Sequence, residues 1–362
     1  VLAQHIRRNV SFIALHRLDK APGACYFPFM TGKRKTTIKD VAAAAGVSVT
    51  TVSDALSGKG RLPEPTRLKV KAVAETLNYR PSAIALGLRE GGLGMVGICI
   101  APAAGNAILT DVGYWAAIVT HASQTILAQG LAPVLLPHSV DLIGRLTIPL
   151  DGALVVDPLE YDPVLAFFDE KKVRYVTIGR DPGREAALWV DDDNRTGISR
   201  LLERTAQPGA ALAFLTVGPK KSYVVDALEG ARHWASTHGS SLKVLHCEGL
   251  EQEQVDRMVE RALRGGVTML IAQVDRLALR VLASLEAKGL RVPDDVRLLS
   301  ASDGPELERA SPPISAVRQH PDALADMAAN ALLDLIRGKA DLKSATIPME
   351  TAIRPSAPAI TA

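Results

Sequence analysis

Aromatic residues are scarce in this chain: Phe, Tyr and Trp supply 4% of 362 residues, against 47% for all apolar types. That disfavours an aromatic-rich β-sandwich and leaves Ala, Leu and Val to build the cores, which suits helices laid on parallel sheets. Cysteine is just as sparse. Cys25, Cys99 and Cys247 are too scattered for a disulfide framework or metal-ligand spacing, so a reducing cytoplasm is the expected setting. No run of about 20 apolar residues is present, so no membrane partner is expected. Residues 1–29 scatter basic residues and lack an apolar stretch followed by a small-residue cleavage site, which excludes a secretory signal. Catalytic signatures are missing too. The eight histidines show no H-x-x-x-H or H-E-x-x-H spacing, and there is no Gly-x-Ser-x-Gly elbow. Gly92-Leu-Gly-Met-Val-Gly97 meets the dinucleotide fingerprint but precedes an apolar run, where the fingerprint must follow a strand and open a helix. Asp191-Asp-Asp-Asn194 has no further metal ligands nearby and reads as a helix start. No enzyme, cofactor or metal site is expected.

What is present is an uneven distribution of charge. Residues 31–90 hold 11 Lys/Arg against 5 Asp/Glu, a net of +6, whereas residues 91–362 hold 27 against 33, a net of −6. A basic segment is fused to a mildly acidic body, which points to a polyanionic partner for the basic part alone; a merely solvated basic face is the blander reading of the charge. Residues 1–29, which precede Met30-Thr-Gly-Lys-Arg-Lys-Thr-Thr37, read as an upstream extension without fixed structure, or else as a functional arm.

Residues 37–56 read as two short helices around a tight turn. Thr37 can cap the first, with Asp40 three residues on completing a short-armed capping box. Ile38, Val41, Ala42 and Ala45 fall on one face, and Gly46 supplies the left-handed exit. Ser48 caps the next helix, whose Val52 and Leu56 point inward. A third helix is expected from about Glu64 to Leu77, with Pro63 and Pro65 at its start and Val70, Val73, Ala74 and Leu77 as its stripe. Three short helices, a glycine turn and excess positive charge describe a helix-turn-helix.

Thr37-Ile-Lys-Asp-Val-Ala-Ala-Ala-Ala-Gly-Val-Ser-Val-Thr-Thr-Val-Ser53, Thr66-Arg67 and Leu77-Asn-Tyr-Arg-Pro81 together resemble the lactose-repressor (LacI/GalR) family of bacterial transcription regulators, without a gap over about 50 residues. The resemblance implies a double-stranded DNA operator as partner, a homodimer, and a cytoplasmic protein acting at the nucleoid. It places Val49 and Thr50 against base edges in the major groove, with Ser53 and Asp54 one turn later. Ser48, Thr51, Ser53 and Thr66 suit phosphate oxygens, which fix register; Thr37, Arg61 and Tyr79 belong to the same candidate surface. Asp54 departs from the arginine common there. It either accepts from a cytosine amino group or, as favoured, turns toward Lys59 or Arg61. Residues 80–89 match the family's hinge helix, which orders on DNA. In it Ser82 contacts backbone, Ala85 lies on the approach face, and Leu88 wedges between central base pairs; the alternative is a linker helix whose Leu88 packs on the body.

From Met95 onward, apolar runs alternate with helical stretches. Strands are expected at 95–100, 132–136, 152–156, 173–178, 188–190, 211–216, 242–245, 269–272 and 296–300, with helices at 113–129, 194–205, 224–237, 252–264, 275–288 and 321–337. Such alternation means parallel sheets covered on both faces. The fold class is therefore an all-α helix-turn-helix domain plus an α/β body. By resemblance, the body is a two-lobed periplasmic-binding-protein-like sensor crossed by the chain near residues 190, 318 and 346. The expected domains are residues 1–35 (extension), 36–80 (reader), 81–92 (hinge and linker) and 93–362 (sensor). Lobe one takes about 93–190 and 319–345, and lobe two about 191–318 and 346–358. Residues 350–362 show no heptads, so no tetramerising coiled coil is expected.

A small-molecule effector, a sugar or another metabolite, belongs in the cleft between the lobes. Asp157, Asp193, Tyr223, Asp226, Asp275 and Ser302 are its candidate contacts, with Asp193 and Asp275 also readable as helix N-caps. Ala227, Val274 and Ser302 replace polar residues that commonly bind sugar in the family, so a standard sugar inducer is not expected. The competing readings are a ligand carrier or an enzyme without specific DNA binding.

Overall fold

Apolar residues at helical spacing fold the basic segment into α1 (Ile38–Ala45), α2 (Val49–Ser57) and α3 (Glu64–Thr76). A computed structural model describes residues 36–57, 62–79, 94–102, 112–146, 149–184 and 188–360. The chain divides into two units after Pro81. In the first, the Asp40 carboxylate accepts from the Thr37 backbone N–H at 2.8 Å and from its hydroxyl at 2.7 Å, fixing the start of α1. Gly46 closes α1 at φ 66°, a conformation that costs a residue with a Cβ and not glycine. Val41, Ala42, Ala45, Val52, Ala55, Val70 and Ala74 form its buried centre, and Ile38, Leu56, Val73, Leu77 and Tyr79 pack around them. The core is small but complete.

The second unit holds twelve described strands: β1 (Met95–Ile100), β2 (Ala132–Leu136), β3 (Gly152–Val156), β4 (Tyr175–Ile178), β5 (Trp189–Asp192), β6 (Ala211–Val217), β7 (Ser241–Cys247), β8 (Met269–Ala272), β9 (Arg297–Ser300), β10 (Ser315–Arg318), β11 (Ala345–Ile347) and β12 (Glu350–Ala352). They form two six-stranded sheets, ordered β11-β5-β4-β3-β1-β2 and β12-β10-β9-β8-β6-β7. Every pairing is parallel except the antiparallel β10–β12. Alternate residues of each strand feed opposite cores. Leu154 and Val156 meet the helices at 112–128 and 321–336, while Ala153 and Val155 meet the helix at 163–170. In the second sheet Leu212 and Phe214 pack on the helices at 194–205 and 222–237, and Ala213 and Leu215 on those at 252–263 and 275–287. Gly230 lets the first of these helix pairs approach closely, because a Cβ there would collide with the Arg195 carbonyl oxygen.

The chain passes between the sheets three times: after β5, after β10, and between β11 and β12. Two of the expected lobe boundaries shift. Asp191 and Asp192 complete β5, and Thr346 and Ile347 pair with them in the first sheet, so these residues belong to lobe one and not lobe two. Strands β10, β11 and β12 and the helices Val140–Gly144, Pro163–Glu170 and Pro305–Arg309 were not anticipated.

Candidate functional site

The first unit presents the N-terminal end of α2. Thr51 N–H donates to Ser48 Oγ at 3.0 Å, and the two hydroxyls lie 2.8 Å apart, so Ser48 caps the helix. Val52 and Ala55 are fully buried on its inner face. The opposite face begins with Val49, 41% exposed, and Thr50, also exposed, followed by half-buried Thr51, Ser53 and Asp54. Exposed Lys39, Lys69 and Lys71 supply positive charge on the same unit, and Thr66 is half-buried. Thr37 is exposed and engaged with Asp40. Tyr79 is half-buried: its ring packs on the three-helix core and its N–H donates to the Ala74 carbonyl at 2.8 Å. Lys59, Arg61, Ser82, Ala85 and Leu88 lie outside the described residues.

The second unit carries a cleft between its two sheets. Ligands of open parallel sheets bind outside the carboxyl ends of the strands, and the lining follows that rule. Asp157 follows β3, Asp191 and Asp192 end β5, Lys221 and Tyr223 follow β6, Gln273 follows β8, and Ser302 follows β9. Burial pushes the Asp191 carboxyl up to about 7, against the pull of Ser222 and Arg180. Burial pushes Asp192 up to about 8, and the neighbouring Asp191 and Asp157 carboxylates add to the rise. Asp157 is raised by burial too, opposed by Lys221 and Trp115, and its backbone takes a left-handed φ of 50°. Lys221 is 2% exposed, and burial pulls its ammonium down against the attraction of Asp157 and Asp162. Buried charge is costly to keep, which makes this cleft the candidate recognition site of the second unit.

Comparison with known proteins places both units. Residues 37–82 match the model for bacterial regulatory proteins of the lacI family, and residues 210–357 match the periplasmic binding protein-like domain. The HTH-type transcriptional regulator CelR of Thermobifida fusca is 29% identical over 324 residues, covering 86% of this chain and 94% of that one. The chain is a lacI-family transcriptional regulator. A CelR–cellobiose complex shares its structure at a TM-score of 0.64 and 25% identity, covering 89% of this chain and 100% of that one. The lac repressor dimer bound to operator and the anti-inducer ONPF shares the fold at a TM-score of 0.70 and 20% identity, covering 89% and 99%. No helix among the described residues is long and apolar enough to cross a membrane.

In this lacI-family regulator four of the six sequence-derived cleft residues converge: Asp157, Tyr223, Asp275 and Ser302. Two do not. Asp193 spends its carboxylate on the Thr196 N–H at 3.1 Å, capping the helix at 194–205. Asp226 pairs with Arg180 of the first lobe. Asp275 is not itself the cap, since Val274 holds that place; the Asp275 N–H donates to Ser302 Oγ at 3.0 Å. Ala227 is buried in the core, whereas Val274 lines the cleft. Around Asp226 the lobes are fastened together. Ser222 Oγ accepts from the Arg180 N–H at 2.9 Å and donates to Asp191 at 2.8 Å, and Lys220 pairs with Glu160. Sequence reasoning missed Lys221, Asp191, Asp192 and Gln273. A signal existed for three of them, because each of these three stands at or just past the carboxyl end of a strand.

Proposed function

We propose that this regulator is a repressor that binds a pseudo-palindromic operator as a homodimer, with its affinity set by a small molecule in the inter-lobe cleft. One observation carries the reading: α2 is capped and anchored by a buried core while its first turn, Val49 and Thr50, faces outward. That is the geometry of a helix whose N-terminal residues meet base edges. Ser48, Thr51, Ser53 and Thr66 then bond phosphates, and residues 81–92 form the hinge, with Leu88 as the minor-groove wedge. Val49 offers only apolar contact, such as with a thymine methyl. The work is regulation and not catalysis, and binding chromosomal DNA sets it in the cytoplasm. The likeness to a CelR–cellobiose complex supports a polar effector of sugar-like size in the cleft. Effector binding changes how the lobes are fastened and thereby the ordering of the hinge, a coupling free energy between two sites.

The test is Leu88→Ala in the full chain. Removal of a wedge between base steps should weaken operator binding by about tenfold or more, since each decade is about 1.4 kcal/mol. Ligand-induced thermal shifts should stay unchanged. Operator affinity equal to wild type in fluorescence anisotropy would remove Leu88 from the mechanism.

A further inference from the structure

The cleft holds an imbalance of charge that the fold itself does not require. Asp157, Asp191, Asp192 and Asp275 line it against Lys221 and Arg276. Most of these groups have partners. Asp191 accepts from Ser222 and stands 3.5 Å from Arg180 Nε, Asp157 is drawn to Lys221, and Asp275 accepts from the Arg276 N–H at 2.7 Å. Asp192 is different. It is 3% exposed, its Oδ1 has no hydrogen-bond partner, and the charges bearing on it are the carboxylates of Asp191 and Asp157. Lys221 is its counterpart: its Nζ is buried and has no acceptor, whereas the Trp115 indole is turned to Asp157. Asp192 Oδ1 and Lys221 Nζ both belong to this one cleft. Buried polar groups are normally satisfied, so these two mark what a ligand must bring.

We propose that the effector is an amine-bearing polyhydroxy compound whose ammonium group rests against Asp192 and whose hydroxyl oxygens accept from Lys221 Nζ. This rests on the reading of the cleft as the effector site. A neutral polyol supplies hydroxyls to both atoms but brings no counter-charge, so Asp192, beside two other acidic side chains in a site of low dielectric, is not helped to ionise. An ammonium supplies three donors and the missing charge together. The groups that face Asp192 are Asp191 on its own strand and Asp157 beyond β3. Behind these stand Arg180, Ser222 and Lys221, and Asp275 and Arg276 also line the cleft.

The experiment uses a matched pair of probes, glucamine and sorbitol, which differ by one ammonium in place of one hydroxyl. Each is titrated into the full chain and followed by calorimetry and thermal shift. Glucamine should bind at least about tenfold more tightly than sorbitol, and Asp192→Asn should erase that preference. Val274→Trp, which fills the cleft, should abolish binding of both probes. Should Asp192→Asn fail to fold, the wild type decides. Glucamine affinity should rise by about tenfold from about pH 6 to about pH 8.5, a range in which its primary amine stays mostly protonated, and sorbitol affinity should not. Equal binding of the two probes, or a preference that survives Asp192→Asn, overturns the amine while leaving the cleft as effector site. Failure of glucamine to bind also overturns the amine. Binding indifferent to Val274→Trp overturns the cleft reading itself.

Discussion

Specific operator binding by this regulator should collapse with salt. A protein that makes about 6–10 phosphate contacts loses about 10³–10⁵ in affinity between about 50 and 200 mM salt, because each neutralised phosphate releases a condensed counterion. The basis is local. The net +6 of residues 31–90 contrasts with −6 in residues 91–362, so the binding surface is cationic although the body is not. Lys39, Lys69 and Lys71 are exposed on the described part of that unit. Anisotropy titrations across that range should give a steep straight line of log affinity against log salt. A flat profile would contradict electrostatic docking and leave the basic segment without a role.

Stability in the absence of ligand should fall as pH rises from about 4 to about 8. Burial raises the folded-state pKa of Asp157, Asp191, Asp192, Asp226 and Asp275. A carboxyl whose folded value lies above its unfolded value of about 3.9 keeps a proton that the unfolded chain has released. Its contribution is therefore complete below the unfolded value and is lost as pH climbs through the folded one, about 7 for Asp191 and about 8 for Asp192. The slope is about 1.4 kcal/mol per pH unit for each proton so held. Asp162 and Asp295 are shifted down and act in the opposite sense, but their window lies in acid, below about pH 4. Urea midpoints measured across this range should decline in the wild type and decline less steeply in Asp192→Asn. Superimposable slopes would mean that Asp192 does not titrate within the folded cleft.

The reader was legible because its chemistry is local. The Thr37–Asp40 box, Gly46 at φ 66° and the Ser48 cap each act within three or four residues, so a short window contains the cause and its effect. The lacI-family match confirms the same stretch. Strands β1 to β9 could likewise be read from apolar runs that both faces of a parallel sheet demand. Strands β10, β11 and β12 could not. They are three or four residues long, carry polar residues such as Ser315, Arg318 and Glu350, and exist because strands remote in sequence pair with them. The cleft was half legible. Asp157 and Ser302 follow strands in plain view, but Asp191 and Asp192 were absorbed into a supposed helix start that belongs to Asp193 alone. Lys221 has no local mark at all, since the charges that face it, Asp157 and Asp162, come from the opposite lobe.

The central claim is that the outward first turn of α2 reads bases. It is tested most directly by selecting bound duplexes from a random DNA pool with the purified wild-type chain and with a Val49→Ala, Thr50→Ala variant. The expected result is a two-fold symmetric motif in the wild type, altered in both half-sites at the same base positions in the variant. No enriched motif, or the same motif from both proteins, would contradict it.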